Sequence, residues 1–327
     1  MPEFSPISFS EVWELTSKDH ADDVFLIFEN LENDTVQWTY RDFNKEVSKI
    51  AGLLLQNGVE PGDSVHLALA NCPVFIAVWL ATIRLGAWIV PSDPMGSSED
   101  LSSHIERTDP KVGFCAKTRS EIYKQACGNL PFIEIDEMST DLELCDFSEV
   151  ESWPVPNVLD RAAVMFTSGT TGLPKGVEIT QANYAFAGQA MAAAVSLTSN
   201  DRQLVVLPLF HANAQYYSFA SAICTGASVA LMATFSASRF LQQAVKYEVT
   251  AASLFAAPIR MILARGEPVK GLKLRHCWFA QNITQGQYET VTKWFGCKPR
   301  QLYGMTETIP AVLTDEKENP DPSSMGF

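Results

Sequence analysis

Apolar residues recur at helical spacing in one early segment of the chain. Phe43, Val47, Ile50 and Leu54 follow one another at intervals of three or four positions, so they share one face of a helix. Thr39 lies just before this segment and has an acidic residue three positions on, which is a relative of the capping box. The pattern predicts an amphipathic helix that begins after Thr39.

Short apolar runs and helical stretches then alternate along most of the chain. We predict strands at residues 65–70, 87–90, 112–115, 162–166, 203–207, 228–232, 252–254, 275–279 and 300–302. We predict helices at residues 73–85, 181–196, 215–224, 236–247, 257–264 and 284–295, and in the second half of 93–109. Short strands separated by helices are typical of parallel β-sheets built from right-handed βαβ units. The expected fold class is therefore α/β.

Residues 134–156 interrupt this alternation with an acidic stretch that contains prolines. Such a composition is typical of a solvated loop. We therefore interpret the stretch as an exposed connection.

Residues 203–238 contain no Asp, Glu, Lys or Arg and are a candidate membrane span. A spanning helix needs about 20 mostly apolar residues, but Pro208, His211, Asn213 and Gln215 interrupt this run. A strand, a loop, a helix and a second strand fit the segment better. We predict a buried α/β segment and no membrane span.

Composition and charge narrow the class of protein. With 46% hydrophobic and 19% charged residues, the chain has the composition of a folded globular protein, which excludes intrinsic disorder, collagen and coiled coil. Its 327 residues suffice for two domains or for one large α/β unit with two sheets. The net charge of -14 repels phosphate backbones and anionic lipid, so a nucleic-acid partner or a basic membrane-surface protein is not expected.

The seven cysteines include no CxxC pair, so neither a zinc site nor a thioredoxin-type site has support. Most of their neighbours are apolar, which is typical of buried free thiols in a reducing compartment. Residues 1–15 have no basic region and no long apolar core, unlike a signal peptide. The expected location is the cytoplasm.

Residues 167–176 (TSGTTGLPKG) directly follow the predicted strand 162–166. Glycines let backbone N–H groups converge on an anion, hydroxyls supply further donors, and Lys175 adds a mobile positive charge. The stretch is not a Walker A loop, because Lys175 follows a proline and precedes a glycine, and it lacks the GxGxxG pattern. It predicts a phosphate-holding loop, with a flexible surface turn as the alternative.

Residues 301–308 (QLYGMTET) again follow a predicted strand. In principle Tyr303 can stack on a base, Thr306 can donate to a phosphate oxygen and Glu307 can hold Mg²⁺. Taken alone, the stretch is also compatible with an ordinary helix N-cap.

The two motifs together resemble those of the adenylate-forming superfamily, which comprises acyl-CoA synthetases, nonribosomal-peptide adenylation domains and luciferases. The similarity includes LPLFHANAQ at 207–215 and the early stretch that begins WTYRDF, and it covers about residues 35–310. LPLFHANAQ and FAQN at 279–282 look most like the ligases that activate carnitine-type and other short or medium acids.

The resemblance implies a fold and its limits. Residues 1–327 would form the large N-terminal AMP-binding domain, with two packed, parallel-type β-sheet subdomains flanked by helices and divided near 150–160. In the family a ribose-binding aspartate, a hinge and a small mobile domain with a lysine follow this part. The chain ends about where a third, barrel-like subdomain would begin. The expectation is therefore a fragment that binds nucleotide or acyl-adenylate but turns over slowly.

The resemblance also implies a nucleotide site. The residues that would hold the β- and γ-phosphates are Thr167, Ser168, Gly169, Thr170, Thr171, Gly172 and Lys175. Around the adenine and the α-phosphate would lie Gln301, Leu302, Tyr303, Gly304, Met305 and Thr306, with Tyr303 against the ring and Thr306 bonded to the α-phosphate. Glu307 would coordinate Mg²⁺. Lys175, Thr170, Glu307 and His211 are the expected catalytic residues.

The acyl side and one departure from the family complete the site. Ala280, Gln281 and Asn282 stand where the family usually has a Gly-Ala-Pro segment against the nucleotide, which puts side-chain contacts to adenine in doubt. By similarity His211 is a gate beside the acyl pocket, and a capped loop histidine is the plain alternative. The other expected pocket residues are Asn213, Ala214 and Gln215.

The implied activity is that of an AMP-dependent acid–CoA ligase. A carboxylate would react with ATP and Mg²⁺ to give acyl-AMP and pyrophosphate, and the thiol of CoA or of a carrier phosphopantetheine would then take the acyl group. The expected partners are a small carboxylic acid and CoA or an acyl carrier protein, and a homodimer is left open. The alternatives are an acyl-adenylate-binding module that performs thioesterification only and an amino-acid adenylation domain. Against the last, residues 210–238 offer no acidic side chain for a substrate ammonium.

Overall fold

The computed structural model of the chain describes residues 6–140, 142, 149–150, 152–167, 174–316, 320–321 and 324–326. Over these residues the chain forms two β-sheets with helices between and around them. The strands are β1 Val24–Glu29, β2 Thr35–Thr39, β3 Ser64–Ala68, β4 Trp88–Pro91, β5 Val112–Ala116, β6 Phe132–Ile135, β7 Arg161–Thr167, β8 Lys175–Thr180, β9 Arg202–Val205, β10 Ser228–Met232, β11 Ala251–Phe255, β12 His276–Ala280, β13 Arg300–Tyr303 and β14 Leu313–Thr314.

The helices lie mostly between consecutive strands. They are α1 Phe9–Asp19, α2 Tyr40–Gln56, α3 Pro73–Arg84, α4 Ser98–Thr108, α5 Ser120–Cys127, α6 Gln181–Val195, α7 Ser221–Ile223, α8 Phe240–Lys246, α9 Ala256–Arg265 and α10 Gln285–Phe295. A π-helix, Asn213–Ala220, leads directly into α7, and single 3₁₀ turns cover Lys117–Arg119 and Thr306–Thr308. Side-chain N-caps begin several helices, as when Thr39 accepts a hydrogen bond from the N–H of Asp42 at the start of α2.

The two sheets are mainly parallel, with antiparallel strands at their edges. The larger sheet has eight strands in the order β14-β13-β12-β11-β9-β10-β1-β2, and β1–β2 and β13–β14 are its antiparallel pairs. The smaller sheet has six strands in the order β6-β5-β3-β4-β7-β8, and only β7–β8 is antiparallel. The chain enters the smaller sheet at β3 and leaves it after β8, which lies beyond the predicted division near 150–160. Strands of the larger sheet therefore precede and follow the smaller one, and the two sheets are intertwined.

One apolar core joins the two sheets. It includes Phe25 of β1 in the larger sheet and Val65 of β3 in the smaller one, both fully buried. All twelve residues of α3 are buried, and its Trp79 lies 5.8 Å from the ring of Phe9 in α1 and 5.2 Å from that of Tyr184 in α6. Each large apolar side chain buried in this way contributes roughly 1.5–3 kcal/mol. The site-bearing strands are thus carried on a stiff interior.

The expected α/β class is confirmed, and all of the predicted strands form within a few residues of their expected bounds. The helix predicted at residues 215–224 is confirmed, and most of it has the π-helical form, which the sequence pattern did not indicate. The prediction of an exposed connection at 134–156 is wrong at its start, where β6 pairs with β5, and in part near its end. There Trp153 is half-buried, with the guanidinium carbon of Arg84 3.7 Å from its ring centre.

No helix of the described part of the chain is both long and apolar enough to cross a bilayer. The uncharged run 203–238 instead supplies two buried strands, β9 and β10, and the π-helix between them.

An ion pair between a buried aspartate and an exposed arginine fixes the end of α6 against the larger sheet. Asp201, just before β9, accepts hydrogen bonds from both Nε and Nη2 of Arg275, at 2.8 and 2.6 Å. Arg275 also donates to the carbonyl of Val195 at the end of α6, at 2.8 Å. Burial works against the Asp201 charge, but hydrogen bonds from Arg275, from the Thr250 hydroxyl and from the Thr198 N–H outweigh it and lower the Asp201 pKa to about 2.

Replacing Asp201 by Asn should destabilise the fold in a pH-dependent way. Since its pKa is depressed from 3.8 to about 2, the charge stabilises the native state above about pH 4 and ceases to do so as the pH falls toward 2. At pH 7 we expect Asp201→Asn to lower the free energy of unfolding by about 2 kcal/mol, and the difference should shrink below pH 4. Urea denaturation across this range measures it. Asp22→Asn, in an exposed pair with Arg41, is the control, and an equal loss there would contradict the explanation.

Candidate functional site

The two sequence motifs both lie at the carboxyl ends of strands. β7 runs parallel to β4 and ends at Thr167, and β13 runs parallel to β12 and ends at Tyr303. In open α/β sheets ligands bind outside the carboxyl ends of parallel strands. Both motifs are therefore in positions that suit a ligand.

The ends of the predicted phosphate loop are joined. Thr167, the last residue of β7, pairs with Lys175, the first of β8, and the Thr167 hydroxyl donates to the Lys175 carbonyl at 3.4 Å. Lys175 is exposed, so its charge is open to a ligand. The expected phosphate contacts of Ser168, Gly169, Thr170, Thr171 and Gly172 lie outside the described residues and stay predictions.

A cavity of about 280 Å³ lies against the flanks of this loop. Its lining includes Phe166, Thr167 and Pro174 from the loop's two ends and His211 from the segment after β9. The loop flank and the predicted gate residue therefore face one space, although they come from different sheets.

His211 keeps an exposed face in this cavity, and its ring centre lies 4.2 Å from that of Phe210. Its backbone N–H donates to the Pro208 carbonyl at 3.1 Å, which forms a tight turn. Partial desolvation by these neighbours lowers the His211 pKa, and the opposing pull of Asp93 is smaller. Because its pKa lies below the ordinary value of 6.5, the imidazole is mainly neutral at pH 7.

The three residues expected to line the acyl side are buried, and they differ in what they contact. Gln215 accepts a hydrogen bond from the Tyr184 hydroxyl and donates to the Leu209 carbonyl, the latter at 2.6 Å. Ala214 is only 1% exposed and belongs to the main core. The amide of Asn213 is buried with neither its nitrogen nor its oxygen hydrogen-bonded. Of the three, Asn213 alone has side-chain polar atoms without a hydrogen-bond partner.

A second cavity of about 400 Å³ adjoins the first, since both are lined by Asp93 and Phe210. Its lining is largely apolar and includes Leu207, Phe235 and Pro258. An apolar space with few polar groups is what a small organic ligand usually occupies.

The strand end before the second motif is held by buried polar groups. The Gln301 side chain donates to the Asn282 side-chain oxygen at 2.8 Å, and the Gln301 N–H donates to an Asp315 carboxylate oxygen at 3.1 Å. Leu302 is 3% exposed and packs in the core. Gln281 has φ of 71°, in the left-handed region that favours glycine. The local backbone thus has a conformation typical of glycine although the residue is Gln.

The tyrosine–glutamate segment itself is open to solvent. Tyr303 is 43% exposed, and Glu307 is also exposed, in the 3₁₀ turn Thr306–Thr308 that Met305 and Thr308 cap. At Gly304 an added Cβ would lie 3.0 Å from the Cα of Ala311, so glycine is needed for this close approach. Beside this turn Ala280 is half-buried and Asn282 is exposed.

The π-helix contacts both motifs. The Tyr216 hydroxyl lies 3.8 Å from the sulfur of Met165, two residues before the loop-bearing end of β7. Burial raises the Tyr216 pKa, and the charges of Tyr217 and Glu307 raise it further. The Tyr217 hydroxyl donates to the Pro310 carbonyl at 2.8 Å. The loop-bearing strand and the segment after β13 thus both contact this one helix.

The donor set at this place suits magnesium bound together with a phosphate. Among the described residues no group of three His, Cys, Asp or Glu side chains comes together as a metal site. Mg²⁺ is usually held by one or two carboxylates, several waters and the phosphates of the substrate. The single exposed carboxylate of Glu307 fits that mode of binding.

The sequence did not reveal two residues of α4 that contact the loop. His104 stacks on Phe166, with ring centres 3.9 Å apart, and Arg107 donates to the Pro174 carbonyl at 2.6 Å. Their spacing of three positions shows that they share a helix face. That this face meets the loop follows only from the strand order, which the sequence pattern does not contain.

The comparisons agree with this geometry. The sequence profile described as AMP-binding enzyme matches residues 13–327. A crotonobetaine/carnitine–CoA ligase of Salmonella heidelberg is 28% identical over 321 residues, which are 93% of this chain and 62% of that protein. The chain thus spans less than two thirds of the length of this curated relative.

Solved structures share the fold. A benzoate CoA ligase from Burkholderia xenovorans superposes with a TM-score of 0.87 at 17% identity, over 98% of this chain and 65% of that one. ATP-bound MatB from Rhodopseudomonas palustris gives 0.84 at 19% identity, over 98% and 64%. The two α/β sheets and their flanking helices are therefore those of this group of ligases.

The oxygen and the nitrogen of the Gln215 side-chain amide are both hydrogen-bonded within the core. We therefore expect Gln215→Ala to lower the stability of the fold. The change leaves the Tyr184 hydroxyl and the Leu209 carbonyl without partners, which costs about 1–3 kcal/mol for each buried group. Thermal and urea unfolding measure the loss, and Gln242→Ala, at an exposed position of α8, is the control. A variant as stable as the wild type would instead favour the pocket role expected from the sequence.

Proposed function

Because the chain belongs to the AMP-binding enzyme family, we propose that it is the nucleotide- and acid-binding part of an AMP-dependent acid–CoA ligase. The carrying observation is that the π-helix Asn213–Ala220 contacts the strand before the phosphate loop through Tyr216 and the segment after β13 through Tyr217. These contacts support the proposal that two motifs about 130 residues apart in sequence act on one ligand. A single nucleotide is the ligand that would use both.

The loop between β7 and β8 would hold the β- and γ-phosphates. In this proposal its backbone N–H groups and hydroxyls, from Thr167 to Gly172, surround the phosphate oxygens, and Lys175 supplies the positive charge. The pairing of Thr167 with Lys175 supports it, since joined ends limit the conformations that a loop of small residues can adopt. A loop restricted before binding loses less entropy on binding.

The segment after β13 would hold the rest of the nucleotide. The exposed ring of Tyr303 is free to lie against adenine, and the Thr306 hydroxyl would donate to the α-phosphate. Glu307 would hold Mg²⁺, which when bound neutralises phosphate charge. The Asn282 side chain accepts a hydrogen bond from Gln301 at the end of β13. We propose that these two residues position the strand end that precedes the segment.

The chemistry proposed asks little covalent work of the protein. A carboxylate oxygen of the acid attacks the α-phosphorus of ATP, the bond from that phosphorus to the β-phosphate oxygen breaks, and pyrophosphate leaves. The thiol sulfur of CoA or of a carrier phosphopantetheine then attacks the acyl carbon, loses its proton, and AMP leaves. The residues of the chain act by neutralising charge and aligning the reacting groups.

The acid would enter beside His211. The cavity at this residue is small and joins an apolar one, and the buried amide of Asn213 next to it has no partner. A modest, partly polar carboxylic acid fits these features. The curated relative named above is a crotonobetaine/carnitine–CoA ligase, and an acid of that size agrees with the proposal.

The test is binding of Mg·ATP, AMP and an acyl-adenylate analogue to the chain, measured by calorimetry. We expect Lys175→Ala to weaken Mg·ATP binding roughly tenfold or more, because a charge-assisted contact contributes about 1.5–3 kcal/mol. AMP lacks the phosphates that Lys175 would hold, so its affinity should change little. Lys18→Ala, at an exposed position of α1, is the control.

The outcomes separate the functions. Absence of any nucleotide binding would refute the proposal. Tight binding of the adenylate analogue with no affinity for Mg·ATP would indicate a module that only receives an adenylate. A pyrophosphate-exchange screen over carboxylic and amino acids would identify the acid, and exchange with amino acids alone would indicate an amino-acid adenylation domain.

A further inference from the structure

The start of β8 is held from outside the hairpin by one side chain of α4. Arg107 donates from Nη1 to the Pro174 carbonyl at 2.6 Å, immediately before Lys175. The same guanidinium lies 4.8 Å from the ring centre of Phe166, immediately before Thr167. One residue therefore contacts both ends of the loop, on the two strands that the loop joins.

A second residue of α4, His104, also contacts Phe166. The His104 ring stacks on Phe166 with an interplanar angle of 7° and 3.9 Å between ring centres. His104 is one helical turn before Arg107, so the two side chains lie on the same face of α4. Phe166 is thus positioned by a flat ring and a cation from the same helix.

A buried chain of hydrogen bonds holds the His104 ring in place. Its Nδ1 is hydrogen-bonded to the Ser92 hydroxyl at 2.8 Å, which is bonded to Nε2 of His66 at 2.9 Å. Nδ1 of His66 is bonded to the Tyr123 hydroxyl at 2.7 Å. Desolvation lowers the pKa of His66 to about 3 and that of His104 to about 4. Both rings are therefore neutral at pH 7, so this series of hydrogen-bonded side chains carries no net charge.

The contacts of Arg107 contribute little to the stability of the whole fold. Arg107 is exposed, and exposed polar contacts of this kind are worth about 0–1 kcal/mol. The same contacts act at Phe166 and Pro174, where the loop is attached to the fold, so their loss would shift the points of attachment. Loss of these contacts should therefore lower the affinity for a ligand that the loop binds, and it should change the free energy of unfolding very little.

We propose that Arg107 and His104 are positioning residues for the phosphate loop, and that together they clamp its two ends in the conformation that receives the β- and γ-phosphates. This inference rests on the proposed function, since it concerns the same nucleotide site. It adds a part of the chain, the face of α4, that neither motif includes.

The test compares Mg·ATP with AMP, because AMP has neither the β- nor the γ-phosphate. We expect Arg107→Ala to weaken Mg·ATP binding about tenfold in calorimetry, to leave AMP affinity within about twofold, and to leave the urea midpoint unchanged. Lys111→Ala is the matched control, because it removes one cation close to α4 whose ion-pair partner is Asp63, 3.8 Å away. It should bind Mg·ATP as the wild type does.

Conservative variants test the mode of action. Arg107→Lys keeps a cation and a donor, so it should recover part of the Mg·ATP affinity lost in Arg107→Ala. His104→Phe keeps a ring against Phe166 and should bind Mg·ATP within a few-fold of the wild type. His104→Ala removes the ring and should weaken Mg·ATP binding more than the Phe variant does.

Each failure has a distinct meaning. If the wild-type chain binds neither Mg·ATP nor AMP, the proposed function itself fails. If the wild type binds both and Arg107→Ala does too, the clamp is refuted while the nucleotide site stands. Equal weakening of Mg·ATP and AMP, or a loss matched by Lys111→Ala, would also overturn the clamp, because it would indicate a general or purely electrostatic effect.

Discussion

The site depends on two adjacent tyrosines that connect the sheets. Tyr216 approaches the sulfur of Met165 on the smaller sheet, and Tyr217 donates to the Pro310 carbonyl in the segment that follows the larger sheet. Both rings are almost fully buried, so neither can move without opening the core. The packing of one helix therefore fixes the positions of the strand that ends at Thr167 and of the segment that contains Pro310.

The π-helical form of this segment follows from its contacts. A regular α-helix places side chains at 100° intervals, whereas a π-turn adds a residue and rotates those that follow, which is why such turns are frequent at functional sites. Here the added turn places Gln215 toward Tyr184 and the Leu209 carbonyl, while Tyr216 and Tyr217 reach opposite partners. The Ser221 hydroxyl donates to the Tyr217 carbonyl at 2.6 Å, a side-chain bond to the preceding turn.

The sequence predicted the inner strands well because their residues are apolar on both faces, as in β3 and β10, which are buried throughout. It missed β8, an edge strand that is largely exposed and directly follows the loop, because its apolar–polar alternation is short. The chemistry of Lys175 and Glu307 could be predicted from residue types in fixed motifs. The clamp of Arg107 and the structural role of Gln215 could not, because both depend on which distant segments meet.

The acidity of the chain has to be reconciled with a site for a highly charged nucleotide. A net charge of -14 disfavours polyanionic surfaces such as nucleic acid, where many contacts spread over a wide area. A single triphosphate is different, because exposed charges beyond about 8 Å are largely screened at physiological salt. The cations that matter are then the nearest ones, and Lys175 and Arg107 both lie at the β8 end of the loop. Phosphate binding therefore depends on the charges next to the loop more than on the net charge of the whole chain.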